Sequence, residues 1–244
     1  MAVTFIIYAC DDGLPCLQGL EGPKHDLIYC TLLEIISSIV HMKNPRKSTF
    51  RKLHKIAERQ QGFFTTKQAL RAGFSARSQL YHVQIGDWIR EYRGIYRLAQ
   101  FPPADRPDLM RWYLWSRNNR EIPEGVYSHE TALSLYDLSD TMPARLHMSV
   151  AKRFRRNSQI PKALILHRVD LPPGDVDTIQ GIRVAKPLRA ITDLLAEGRI
   201  SKDILIQTLR EGLRRGLITV AALNKVSLPE HQVQELQNLI KRAR

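Results

Sequence analysis

From Ser48 to Leu98 the apolar positions recur three times with a helical period and then with a strand period. Phe50, Leu53, Ile56 and Ala57 form the apolar face of a first helix, with Ser48 as its N-cap and Gly62 as its stop signal. Thr65 or Thr66 opens a second, short helix over 66–72, with Ala69 and Leu70 turned inward, and Gly73 allows a tight turn. Ser75 caps a third helix ending at Gln84, anchored inward by Ala76, Leu80 and Val83. Gly86-Asp87 stops it. Residues 88–98 then alternate as a hairpin with its turn at Arg93-Gly94, and Phe63 and Phe64 read as core. The predicted order is helix, helix, helix, wing: a winged helix-turn-helix.

With Leu80 and Val83 inward, the opposite face of the third helix presents Ser75, Ser78 and His82, flanked by Gln79 and Tyr81, with Arg77 near its start. Such side chains early in a recognition helix read base edges in the major groove. Arg51, Lys52 and Lys55 of the first helix and Arg90, Arg93 and Arg97 of the wing are the candidate phosphate contacts.

Farther along, Phe101-Pro102-Pro103 and Arg106-Pro107 mark a linker. A helix is expected over 108–118, its Leu109, Trp112, Tyr113 and Trp115 packing against a second domain. Strands are expected at 126–127, 146–150, 163–168, 175–179 and 182–185, with Gln180-Gly181 as a turn. Helices are expected from Ser128 as N-cap and over 190–197, 203–213 and 230–242. The fold class is α+β: the winged module, then a small mixed α+β domain and a C-terminal helical segment. The boundaries read 1–41 for an extension, 42–100 for the winged domain, 101–200 for the α+β domain and 201–244 for the helical segment.

Charge sharpens this picture. The chain of 244 residues carries +13 overall, yet 1–41 are net −4 while 42–100 hold thirteen Lys and Arg against Glu58, Asp87 and Glu91. A basic field of this kind favours double-stranded DNA through counterion release. The densest cationic run lies elsewhere, at Lys152, Arg153, Arg155 and Arg156 around Phe154. It reads equally as a second patch for nucleic acid or an acidic partner and as a solvated loop. Cys10, Cys16 and Cys30 form no CxxC pair, which points to a reducing, cytoplasmic setting. No membrane segment is expected. Residues 1–41 look foreign to the rest, and a true start at Met42 is the expectation there.

Enzyme motifs are absent: there is no GxxxxGK[ST], GxSxG, HExxH or GxGxxG. His129-Glu130 lacks a second His four residues on, and His147 and His167 lie in separate strands that need not converge with it; a metal triad of the three is the weaker reading beside ordinary packing or surface histidines. No metal, cofactor or catalytic residue is assigned. Asp175 and Asp177 with Lys186 match a restriction-type nuclease only loosely and read as turn residues.

The text GFFTTKQALRAGFS, a short helix, then IREYRGIYRL resembles the N-terminal winged helix of AbiEi-type antitoxins. Tyr127-Ser128-His129-Glu130-Thr131-Ala132-Leu133 is similar to that family's "hETAL" segment. So are Asp137-Leu138-Ser139-Asp140 before Pro143, Gly181-Ile182-Arg183-Val184, and Pro187-Leu188-Arg189-Ala190-Ile191-Thr192-Asp193-Leu194-Leu195. The resemblance covers about residues 48–197. It implies an antitoxin of a toxin–antitoxin or abortive-infection system in phage defence. Its winged helix would act as transcriptional repressor of the shared operon, against a nucleotidyltransferase-like toxin. Arg90-Glu91-Tyr92 departs from the more basic wing expected there. A winged-helix regulator unrelated to any toxin, and a nuclease, stay open. No heptad seam decides between monomer and dimer.

Overall fold

A computed structural model describes residues 45–243 except 103, 140–142, 199 and 224–228. The expectations for 1–41, the start at Met42 and the cysteines among them, lie outside the described residues. Residues 49–244 form one compact unit.

The first part runs α1 (Pro45–Glu58), β1 (Phe63–Thr65), α2 (Thr66–Ala72), α3 (Ala76–Gln84), β2 (Trp88–Tyr92) and β3 (Ile95–Leu98). This is the element order of a winged helix. Because α1 begins at Pro45, Ser48 lies within the helix rather than capping it. Thr65 caps α2 through a capping box with Gln68, and Ser75 caps α3 by accepting from Ser78 N. Gly73 joins them at φ 110°, a left-handed conformation that glycine adopts without a Cβ clash. The strands form an antiparallel sheet in the order β1-β3-β2.

Both faces of this small sheet are covered. Phe64 and Trp88 pack with Leu53, Ala57, Ala69, Ala72 and Phe74 of the helical layer. Phe63 and Ile95 instead join Leu109, Met110 and Trp112 of α4 (Pro107–Trp115) in the larger core. The aromatic residues expected in that helix are therefore packing residues.

The remainder comprises β4 (Val126–Tyr127), α5 (His129–Leu135), β5 (Leu146–Val150), β6 (Leu164–Arg168), β7 (Val176–Ile179), β8 (Ile182–Ala185) and the helices α6 (Pro187–Glu197), α7 (Lys202–Arg214), α8 (Val220–Leu223) and α9 (Glu230–Ala243). The strand order is β6-β5-β4-β8-β7. β5 runs parallel to β6 and β4 parallel to β8; the β4–β5 and β7–β8 pairs are antiparallel. The expected turn at Gln180-Gly181 closes the β7–β8 hairpin, both residues with positive φ. α4 lies on one face, where Tyr127 donates to the Leu109 carbonyl at 2.6 Å. Side chains alternate along a strand, so His147 and Ser149 face the other side, toward α5 and α6. The α+β class holds.

Candidate nucleic-acid interface

The surface available to DNA follows from how α3 is turned. Its inward stripe is Gln79, His82 and Val83, not Ala76, Leu80 and Val83 as expected. Leu80 is 62% exposed and Ala76 is exposed. Gln79 is buried, its amide donating to the Thr66 carbonyl at 3.4 Å. The His82 side chain is only 12% exposed. Its Nδ1 lies 2.9 Å from Asp87 Oδ2 and its ring stacks on Trp88 at 5.0 Å, with Phe50 and Phe74 edge-on. Gln79 and His82 are thus corrected from base readers to core residues. Gln79 is buried and the His82 side chain largely covered, and each has a local polar partner, which lowers the cost of desolvation. Leu70, expected inward, is exposed as well.

The outward face of α3 carries Arg77, Leu80, Tyr81 and Gln84, with Ser75 at its start. Ser75 spends its hydroxyl on the cap, and Ser78, half-buried, donates to the Ser75 carbonyl at 2.9 Å. Arg77 and Tyr81 are therefore the expected readers that remain presented. Ile85 extends this face as a further exposed apolar side chain.

On α1, Arg51, Lys52 and Lys55 are exposed, as are Arg90 and Arg93 on the wing. Arg97 is not. Its Nε donates to Glu91 at 2.9 Å and its Nη1 to the Phe101 carbonyl at 3.3 Å. Glu91 also accepts from Arg111 of α4 at 2.6 Å. The β2–β3 register slips between Arg90 and Tyr92. This bulge aims Glu91 at the two arginines rather than at solvent. Burial alone would raise the Glu91 carboxyl, but hydrogen bonds from Arg97 and Arg111 outweigh it and hold the group below the usual carboxylate range. The wing's departure from a basic pattern is a structural device.

In the second cationic run, Lys152, Arg153 and Arg155 are exposed. Arg156 folds back, donating to the Arg117 carbonyl at 2.6 Å and lying over the Trp115 ring; it leaves the candidate patch. The aspartates weighed for a nuclease are engaged: Asp175 lies 3.5 Å from Arg189, and Asp177 accepts from Tyr136 at 3.2 Å.

His129, His147 and His167, which on sequence grounds need not converge, do so. Burial, then the neighbouring His167, His147 and Arg189, push the His129 imidazole down to about 3.

Residues 51–99 match the family model described as "Transcriptional regulator, AbiEi antitoxin". This segment is AbiEi-type. The match runs from within α1 through the wing, so the AbiEi-type segment contains every exposed α1, α3 and wing cation named above. No curated protein matches the chain. A crystal structure of the RV2827C protein from Mycobacterium tuberculosis is similar at 12% identity and a TM-score of 0.48, over 81% of this chain and 77% of that chain. Among the described residues no helix is long and apolar enough to cross a membrane.

Proposed function

We propose that the chain is a DNA-binding antitoxin that represses its own bacterial toxin–antitoxin operon in the cytoplasm. The observation that carries this reading is the set of exposed cations on α1, α3 and the wing, all inside the AbiEi-type segment. The outer face of α3 enters the major groove, where Arg77 and Tyr81 meet base edges and Leu80 suits a thymine methyl. Arg51, Lys52 and Lys55 hold phosphates on one side and Arg90 and Arg93 on the other. The second domain opposes a nucleotidyltransferase-like toxin, by contact or by countering its action. The protein acts by binding and not by turnover: the paired states of Asp175 and Asp177 support this.

The test is fluorescence anisotropy with DNA upstream of the gene against scrambled DNA, across a salt series. Five phosphate contacts give a log–log salt slope of about −4 to −5, with selective binding to the upstream site. Equal, weak binding to both sequences refutes the operator reading. Co-expression with the neighbouring toxin gene tests the antitoxin half: growth must be restored by the chain. Cut product in a Mg²⁺ cleavage assay would instead favour the nuclease.

A further inference from the structure

Three imidazoles meet between the sheet and the helices above it. His147 lies on β5 and His167 on the parallel strand β6, with Ser149 opposite His167 in register, so both rings stand on one face of the sheet. His129 is the first residue of α5 and comes down onto them, its ring stacked on that of His167 at 3.7 Å. One nitrogen from each ring can be chosen so that all three lie within 4.8 Å of one another. His147 Nδ1 and His167 Nε2 already face each other at 3.0 Å.

Oxygens flank each ring, and those beside His129 lie at both of its nitrogens, one of which an ion would displace. Glu197 Oε1, at the end of α6, sits 3.0 Å from His167 Nδ1 and 3.3 Å from His129 Nε2. Glu130 Oε2 lies 3.7 Å from His147 Nε2, and Ser128 Oγ lies 2.9 Å from His129 Nδ1. A carboxylate behind an imidazole is the usual support of a metal-ligating histidine: it fixes the tautomer and the ring orientation. Two carboxylates beside the rings also bring the charge that a divalent cation balances. The nearby Arg189 is engaged by Asp193 at 2.9 Å and by Asp175.

His129 adopts φ 54°, the left-handed region that a non-glycine residue rarely enters. Backbone strain of this kind persists where the surroundings fix a side chain for a task. The ring is almost fully buried, while the side chains of His147 and His167 are 13% and 15% exposed and give an ion access from solvent.

We propose that His129, His147 and His167 form a binding site for a divalent transition metal of the zinc class, supported by Glu197 and Glu130. Three nitrogen donors select zinc, cobalt or nickel over magnesium and calcium, which demand oxygen. The ligands come from three different elements, so the ion staples α5 to the β5–β6 edge of the sheet. This site is independent of the DNA reading and adds a metal dependence to the second domain.

The experiment is titration of the metal-free full chain with Co²⁺ and Zn²⁺. Co²⁺ is expected to give the visible ligand-field bands of a low-coordinate nitrogen site at one equivalent, displaced by Zn²⁺ and not by Mg²⁺. Zn²⁺ raises the melting temperature. His147→Gln and His167→Gln each weaken binding about tenfold or more, while His54→Gln, an exposed position on α1, leaves it intact. Glu197→Gln weakens it with the three rings in place. Absence of saturable binding at micromolar metal overturns the proposal. So does binding that the His147 and His167 variants leave unchanged, or a thiolate-to-cobalt charge-transfer band, which would assign the ion to cysteine. The cobalt spectrum of the unaltered chain decides even where a histidine variant fails to fold.

Discussion

Glu91→Gln removes one charge and keeps the shape of the side chain, so it isolates what the carboxylate contributes. Its oxygens take Arg97 Nε at 2.9 Å and Arg111 Nη2 at 2.6 Å, and the three side chains are 10%, 14% and 26% exposed. Removing one member of a buried ion network costs about 3–5 kcal/mol. Solvent at Arg111 screens its share, and the amide oxygen still accepts one hydrogen bond, which brings the expected loss to about 2–3 kcal/mol. At roughly 2–4 °C per kcal/mol for a chain of this size, the melting temperature falls by roughly 4–12 °C. Urea unfolding at pH 7 with an unchanged m-value measures it, and a double-mutant cycle with Arg111→Ala isolates the pair across β2 and α4. The folded-state pKa of Glu91 is depressed. Its contribution is therefore complete above the unfolded value near 4.5 and is lost as pH falls through the lower, folded value. The two proteins must converge in stability under acid. A loss below about 0.5 kcal/mol, within the range of ordinary surface substitutions, or a difference that persists in acid, refutes the view that this network ties the wing to α4.

Arg77→Ala is expected to cost about 1–3 kcal/mol on the specific DNA site and little on random DNA, whereas Gln79→Ala lowers the urea midpoint through its buried amide. Anisotropy and denaturation on both variants check the phase of α3, and a reversed pattern refutes it. Arg93→Ala should weaken binding to all sequences and reduce the salt slope by about 1; a loss confined to one sequence contradicts a phosphate contact. Gly73→Ala forces a Cβ into φ 110° and to 3.1 Å from Thr49 Oγ1. A destabilisation of about 1–2 kcal/mol is expected by calorimetry, and a neutral or stabilised variant would contradict the left-handed turn.

The elements of this fold were largely legible because their signals are local. Thr65 and Gln68 form their capping box from side chains three apart, and Gln180-Gly181 makes a hairpin turn through its own backbone. The phase of α3 was not legible. Leu80 and Val83 mimic an inward pair, but the face chosen is the one whose polar members find partners, Thr66 for Gln79 and Asp87 for His82. Those partners lie in a preceding helix and a following loop, where spacing within α3 gives no hint of them. The three histidines stood in the sequence only as the weaker reading, since their convergence could not be read, for the same reason at greater range. His147 and His167 share a sheet face only because β5 and β6 pair in parallel, and His129 joins them through the placement of α5. The α8 turn, four residues long, carries too few positions for periodicity to show.

Charge counting along the winged segment overstates the surface offered to DNA. Arginines there divide by their partners. Arg97 is used by Glu91 and Phe101, and Arg117, outside the segment, reaches Glu121 at 3.1 Å and the Gly94 carbonyl at 3.3 Å. Glu121 in turn receives the hydroxyl of Thr65, the residue that caps α2. The planar guanidinium can satisfy a carboxylate and a carbonyl together, so these arginines hold the wing turn and the helix start against α4. A wing fixed in this way at Gly94 presents Arg90 and Arg93 from a set position, and the exposed cations of α1 sit across the same small core. In the proposed DNA reading such a wing needs no ordering on binding, which is the cost that preorganised surfaces avoid.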